Sequence, residues 1–304
     1  MRDVVIIGAG PAGLSAAVYA KRAGLDALMI EASPIDGGQV LNTYEVDNYL
    51  GLPGVSGMEL SNKFSEHAKT AGIERVDAQV TGVEAKGRIY TVHTSTGDFD
   101  AKYIVFATGA QHALLGAPGE AELAGMGVSY CATCDGAFFR KRDVCVVGGS
   151  DVAVEDAIYL ARTSRKVYLI HRRNTLRAAN SLVNALNACE NVTIIWDSEV
   201  KSINGDGQVS SVTLHNKKTG TDSNLDVQGV FIAVGINPIT NLLDDMGVTL
   251  DEKGYVIAGE DTRTNLHGIY AAGDIRKKPM RQIITAVCDG ANAIASIQAD
   301  MNEG

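Results

Sequence analysis

The chain has 304 residues, 45% of them hydrophobic and 21% charged, with a formal net charge of -9. That length leaves room for two domains at roughly 150 residues each, and the composition is that of an ordinary folded protein, not a disordered or fibrous one. The acidic balance argues against a nucleic-acid surface, which needs a basic excess, and no uninterrupted apolar run reaches the ~18 residues of a membrane span. Val4 to Ala20 has the flavour of a signal peptide, but glycines and a proline interrupt it and Lys21-Arg22 close it on the wrong side. A cytoplasmic protein with no membrane or nucleic-acid partner is expected. Glycine, at 33 residues, exceeds the average of roughly 7%, which points to tight turns or close backbone approaches to a ligand.

The first 31 residues form one unit. "DVVII" (3–7) is a short β-branched run suited to a buried parallel strand, "GAGPAG" (8–13) follows at once, and the helical spacing of "PAGLSAAVYAKRAG" ends at Gly24. "DALMI" (26–30) is the next strand, closed by Glu31. Strand, glycine turn, helix, strand and acid make the dinucleotide fingerprint in its full context. Gly8 permits the tight turn, Gly10 admits a pyrophosphate to the backbone beside Pro11 and Ala12, and Gly13 allows close helix packing. The helix N-terminus supplies amide donors to phosphate, and Glu31 is placed to accept from ribose hydroxyls.

"SYCATCDGAFFR" (129–140) comes next, and its Cys131 and Cys134 are the only local pair among five cysteines. The spacing by itself fits half a zinc site, a structural disulfide or a working redox pair. Cys145, in the apolar run "DVCVVGG", reads as a buried strand residue, and Cys189 and Cys288 read as packing thiols on helices.

The first unit then recurs over 143–177. "DVCVVGG" is a strand and "GGSDVA" (148–153) the turn, which contributes Gly148, Gly149, Ser150, Asp151 and Ala153. "DVAVEDAIYLAR" is a helix and "KVYLI" (166–170) the second strand. Where the first copy ends in Glu31, this one ends in "HRRNTLR", with His171, Arg172, Arg173 and Arg177. An acid rejects a 2′-phosphate, whereas arginines can clamp one through paired N–H donors. The first site should therefore hold a nucleotide with a free ribose diol, and the second NADP(H).

"GIYAAGD" (268–274) is a late buried strand ending in Gly273-Asp274, with a long helix, "RQIITAVCDGANAIASIQ", behind it. Its distance from the first unit implies that residues 1–112 and 246–304 form one domain, with 113–245 inserted. "ALLGAPG" and "GINPITNLLDD" supply the two crossings.

Taken together, "GAGPAG", "GGQVLNTYEVDNYLG", "ATGA", "CATCDG", "HRRNTLR" and "AAGDIRKKPMRQIITAVCDG" resemble the bacterial-type, low-molecular-weight thioredoxin reductases in content and order, over nearly the whole chain. The resemblance implies an α/β fold of two Rossmann-like, three-layer (ββα) dinucleotide-binding domains, one inserted in the other. It makes the outer domain an FAD domain and the inserted one an NADPH domain carrying the dithiol. It places Gly8, Gly10, Gly13, Glu31, Gly38, Gln39, Asn48, Thr108, Gly109, Asp274, Arg281 and Gln282 around FAD. The sequence departs from the family at Ser150, usually glycine, and at Leu50, usually proline. A serine adds a side chain where backbone should meet pyrophosphate, although its hydroxyl can also donate to phosphate.

With a flavin and a hydride donor implied, the cysteine pair acquires a purpose. A zinc site wants four ligands at matched spacing, and no second Cys-x-x-Cys or nearby Cys/His cluster exists, so no metal is expected. A structural disulfide over so short a loop would restrict the unfolded chain little. The resemblance implies electron flow from NADPH through FAD to the Cys131–Cys134 disulfide, and then to thioredoxin or a thioredoxin-like protein. In that scheme Cys134 faces the flavin, Cys131 attacks the external disulfide and Asp135 exchanges protons with the sulfurs. The family also implies that the inserted domain rotates about hinges near 113–117 and 239–245, and that the protein is a homodimer. Alternatives are a related disulfide oxidoreductase using NADH, ferredoxin or another acceptor, and a nucleotide-binding redox sensor.

Overall fold

The computed structural model describes residues 1–43, 46 and 48–303, so Tyr44, Glu45 and Asp47 of "GGQVLNTYEVDNYLG" lie outside the described residues. The chain divides into two compact units. One comprises Met1–Leu41, Val46–Gln111 and Asn237–Gly304, and the other is built on His112–Ile236.

In the first unit, strand Arg2–Ile7 lies parallel between Ala27–Glu31 and Gly97–Phe106. Glu74–Asp77 extends one edge and Ile269–Ala271 pairs in parallel with Gly97–Phe106. Ile89–Thr94 and Val80–Lys86 continue the sheet as an antiparallel meander. Residues 4–7 are apolar without alternation because both faces of this strand are covered. Val4 and Ile6 pack under helices Pro11–Arg22 and Ile283–Glu303, while Val5 and Ile7 pack against Leu28, Ile104, Leu243 and Val256 on the other side.

The chain rejoins this unit at Asn237. The Ile239 N–H donates to the Gly109 carbonyl, the Thr108 hydroxyl donates to the Ile239 carbonyl at 2.7 Å, and Leu243 is buried behind Val5 and Ile7. Residues 237–245, expected in the inserted domain, thus stand with the outer unit. The crossing strands Ala110–His112 and Ile236–Pro238 pair as a two-stranded sheet.

The second unit has three layers. Its central parallel sheet runs in the order Val192–Ile195, Lys166–Ile170, Asp143–Gly148, Gly229–Ala233, Val128–Ser129. A three-stranded antiparallel sheet, Ser198–Gly205, Val209–Asn216 and Thr221–Asp226, covers one face. Helix Asp151–Ala161 covers the other, with Phe139 from the segment after the cysteines. Alternation along Asp143–Gly148 serves both layers: Cys145 and Val147 face the antiparallel sheet, Val144 and Val146 the helix. Cys145 is fully buried, and burial pushes its thiol far above the ordinary range. Its role is packing.

Candidate functional site

The first glycine turn is built by close approaches. Gly8, at φ +106°, lies so near the Ala107 carbonyl that an added Cβ would come within 2.6 Å of it. A Cβ on Gly13 would sit 1.8 Å from the Gly8 carbonyl oxygen, so the helix packs directly on the turn. At Gly10, the extended N-cap of the helix with Pro11 at its first position, a Cβ would meet nothing within 4 Å. The backbone there faces open space at a helix N-terminus, which is the requirement for receiving a phosphate. Glu31 stands beside it, accepting from the Ala9 N–H at 2.7 Å and the Ser33 N–H at 2.8 Å.

Residues far apart in sequence converge on this turn. A Cβ on Gly38 would lie 3.4 Å from the Gly10 Cα, and one on Gly273, at φ +85°, only 2.9 Å from the Ala12 Cβ. Gln39 is half-buried on the single-turn helix Gly38–Asn42. Asn48 donates to the Gln282 side-chain oxygen at 2.9 Å across 234 positions. Thr108, by contrast, spends its hydroxyl on Ile239, and Leu50 is 92% exposed.

Asp274 and Arg281 each carry a buried polar atom, Oδ1 and Nε, without a hydrogen-bond partner. Burial pushes the Asp274 carboxyl up, against the pull of Lys278, whose ammonium is 3.6 Å away, and of Arg281. The Arg281 guanidinium lies 3.8 Å over the Tyr255 ring. Buried donors and acceptors left open beside an uncovered glycine turn fit a polar nucleotide group supplied from outside the chain.

Sequence reasoning missed the hub that holds this segment. Asp289, on the long helix, accepts from Arg276 Nε at 2.8 Å and Nη2 at 2.6 Å, from Lys278 Nζ at 2.9 Å and from the Gly273 N–H at 2.9 Å. Burial alone would raise its carboxyl, but the donors of Arg276 and Lys278 outweigh it and hold the group below the usual range. The available signal was an acid on the apolar stripe formed with Ala286, Ala293 and Ile297. Cys288 is the corresponding correction: it is exposed, because the buried face of that helix is taken by Ala286, Asp289, Gly290 and Ala293.

The second turn brings its predicted residues together in a different manner. A Cβ on Gly148 would fall within 2.6 Å of both the Ala233 carbonyl oxygen and the Ala153 Cβ. One on Gly149 would enter the His171 ring at 2.2 Å. His171 is buried, bonds through Nε2 to the Thr175 carbonyl oxygen at 3.0 Å, and is held below the ordinary histidine range by burial, with Arg177 and Arg173 adding to the effect. The Arg177 N–H donates to the Gly149 carbonyl at 2.7 Å, so the basic run folds back onto the turn. Asp151 accepts from the Ala179 N–H at 2.8 Å and fixes the far end of that loop. Arg172, Arg173 and Arg177 are exposed, and none takes part in the ion pairs found among the described residues. Ser150 is the N-cap of Asp151–Ala161, but its hydroxyl caps nothing. Free guanidinium groups and an unspent hydroxyl at a helix N-terminus fit a phosphorylated nucleotide.

Cys131 and Cys134 are joined as a disulfide, with their Cα atoms 5.3 Å apart. Cys131 caps the one-turn helix Ala132–Asp135, whose Cys134 and Asp135 N–H groups donate to the Cys131 carbonyl. A Cβ on Gly136 would press on Leu160 at 3.0 Å and Tyr159 at 3.1 Å, so the turn after the pair sits tightly on helix Asp151–Ala161. Both cysteines are half-buried. Burial pushes the Asp135 carboxyl up, only partly offset by a hydrogen bond from Ser129. A half-buried disulfide followed in the chain by a carboxyl of raised proton affinity has the groups needed to exchange with an external thiol and to hold a proton for it. Among the described residues no group of His, Cys, Asp or Glu is placed to hold a metal ion, and no helix is long and apolar enough to cross a membrane.

The pyridine nucleotide-disulphide oxidoreductase family matches residues 2–290. Over 302 residues the chain is 47% identical to thioredoxin reductase of Listeria innocua, covering 99% of this chain and 94% of the relative. It belongs to the thioredoxin reductase family. Two solved family members agree. Thioredoxin reductase from Streptococcus pyogenes matches at 43% identity and TM-score 0.95, covering 100% of this chain and 99% of its own. The Lactococcus lactis enzyme in its FR conformation matches at 43% identity and TM-score 0.70, with 100% of both chains covered. The pair of Rossmann-like folds is therefore a family property. Membership makes the chain an oxidoreductase of disulfides, of a family that uses a flavin and a nicotinamide nucleotide.

Proposed function

We propose that the chain is an NADPH-dependent, FAD-containing reductase of thioredoxin or a thioredoxin-like protein. The observation that carries this reading is the half-buried Cys131–Cys134 disulfide in a chain with two glycine-turn nucleotide folds, one ending in Glu31 and the other in exposed arginines. Gly8, Gly10, Pro11, Ala12, Gly13, Glu31, Gly38, Gln39, Asn48, Thr108, Gly109, Gly273, Asp274, Arg281 and Gln282 would hold FAD. Gly148, Gly149, Ser150, Asp151, Ala153 and His171 would receive the NADPH pyrophosphate, with Arg172, Arg173 and Arg177 on its 2′-phosphate. When bound, FAD supplies a two-electron relay between hydride donor and disulfide.

The protein's own part is thiol chemistry. Two electrons and two protons convert the Cys131–Cys134 disulfide to a dithiol. The Cys131 thiolate attacks one sulfur of the external disulfide and expels the other, and the Cys134 thiolate then displaces the external sulfur from Cys131. The intramolecular disulfide reforms and the partner leaves as a dithiol. Asp135 gives and takes the protons these sulfurs need. Family resemblance extends the reading to a cytoplasmic homodimer.

Anaerobic titration of the purified protein with NADPH tests it. Full loss of the flavin's visible absorption should take two equivalents in the parent and one in Cys131→Ser. Cys134→Ser should keep NADPH oxidation by artificial acceptors and lose thioredoxin reduction, and full thioredoxin turnover by that variant sinks the dithiol role. A flavin that stays oxidised under NADPH shows that the arginines were misassigned, and directs the search to NADH and reduced ferredoxin.

A further inference from the structure

The two oxygens of the Asp135 carboxylate have different surroundings. Oδ2 accepts a hydrogen bond from the Ser129 hydroxyl at 2.6 Å, whereas Oδ1 is buried with no partner. Ser129, itself buried at the end of strand Val128–Ser129, also accepts from the Cys131 N–H at 3.1 Å. A serine hydroxyl has a single proton, and the 2.6 Å contact to Asp135 takes it in preference to the 3.3 Å approach to the Cys131 carbonyl oxygen. A directed chain results, from the Cys131 amide through the Ser129 hydroxyl to Asp135. It fastens the first cysteine to the acid four positions on.

We propose that Ser129 is the positioning residue for Asp135, holding Oδ2 and leaving Oδ1 as the oxygen that carries the exchangeable proton for the Cys131–Cys134 sulfurs. This rests on the reading above in which Asp135 serves the dithiol. In reduction by a small dithiol, one reagent thiolate attacks a protein sulfur and the S–S bond breaks. The expelled sulfur takes the proton from Oδ1, leaving a carboxylate that Ser129 stabilises. The second reagent thiolate then attacks the first reagent sulfur and displaces the protein sulfur, which takes its proton from solvent, so the reagent becomes a cyclic disulfide and the protein gains two electrons and two protons. Without the Ser129 donor the carboxylate is less stable, so Asp135 keeps its proton to higher pH. The pH profile of reduction therefore has a limb set by the Asp135 carboxyl, and a purely structural Ser129 would alter stability but would not move that limb.

The test needs no nucleotide. The purified parent, Ser129→Ala, Ser129→Thr, Asp135→Asn and the double variant Ser129→Ala/Asp135→Asn are reduced with dithiothreitol from mildly acidic to mildly alkaline pH. Samples are quenched by alkylation and the free thiols counted by mass. Ratios to the parent at each pH cancel the reagent's own ionisation. Ser129→Ala should move the carboxyl-dependent limb upward by about one pH unit, the scale expected for losing a hydrogen bond to a charged group. Ser129→Thr should restore the parent profile. Asp135→Asn should abolish the limb and make Ser129→Ala silent on top of it. A Ser129→Ala ratio that is constant with pH, while Asp135→Asn loses the limb, overturns the positioning role alone. A limb that survives in Asp135→Asn overturns the proton role of Asp135 and this inference with it.

Discussion

Asp289 shows how one side chain can organise the proposed FAD site without belonging to it. Its carboxylate pairs with both Arg276 and Lys278 in a setting where the three side chains are 2%, 4% and 3% exposed, and it also anchors the Gly273 amide. Removing one member of a buried ion cluster strands the others, which costs about 3 kcal/mol or more. Asp289→Asn should therefore lower stability by that order in urea unfolding. It should also release flavin on dilution, because Gly273 and Asp274 lose their anchor. The depressed carboxyl sets a pH window too. Its contribution is present above the ordinary aspartate pKa of about 4 and is lost as pH falls through the lower folded value. The stability difference between parent and variant should shrink only in that acidic range, and a difference unchanged down to strong acid would contradict the assignment.

At the scale of elements, the packing of helices Pro11–Arg22 and Ile283–Glu303 depends on Gly290. A Cβ there would come 2.1 Å from the Ala12 carbonyl oxygen and 2.7 Å from the Ala16 nitrogen, so the two backbones nearly touch. Helix propensity and packing predict opposite signs for Gly290→Ala. Propensity alone favours alanine by about 1 kcal/mol, whereas forcing a methyl into a packed interface costs roughly 1–3 kcal/mol. Because the obstructing atoms are backbone, packing should win. The variant should melt at lower temperature than the parent and retain flavin less well, since Ala12 lies on the glycine turn. A raised melting temperature would show that the helices separate freely.

For the whole molecule, chain continuity decides which part can stand alone. Residues 112–236 carry a complete parallel sheet, a covering sheet, a helix and two buried clusters from one unbroken stretch. Residues 1–111 lack strand Ile269–Ala271 and helix Ile283–Glu303, whose Tyr270, Ala293, Ile294 and Ile297 complete the cluster over Val4 and Ile6. The 112–236 fragment should unfold cooperatively and give dispersed amide resonances, and 1–111 should do neither. Joining 1–111 to 237–304 through a short glycine–serine linker should restore the outer unit, because the Ile239 N–H already lies 3.0 Å from the Gly109 carbonyl oxygen. A folded 1–111 fragment would show that the returning segment is dispensable.

The local instructions were legible in the chain. Strand, glycine turn and helix follow one another within about ten residues, so Gly8, Gly13, Gly148 and strand Lys166–Ile170 could be read from neighbours alone. The dithiol and its adjacent acid were equally local. What the sequence left open depends on contacts across long separations: Asn48 with Gln282, Asp289 with the Gly273 turn, and the placement of 237–245 with the outer unit. The meander over 80–106 and the sheet over 198–226 went unread for a related reason, since their strands are partly exposed, mostly lack a continuous apolar run and gain their structure from cross-strand partners. Backbone conformation and motif spacing are set by the nearest residues, and so the sequence by itself determined the glycine turns and the cysteine pair. Which buried charge meets which partner is settled only when distant segments are desolvated together, and that the tertiary structure decided.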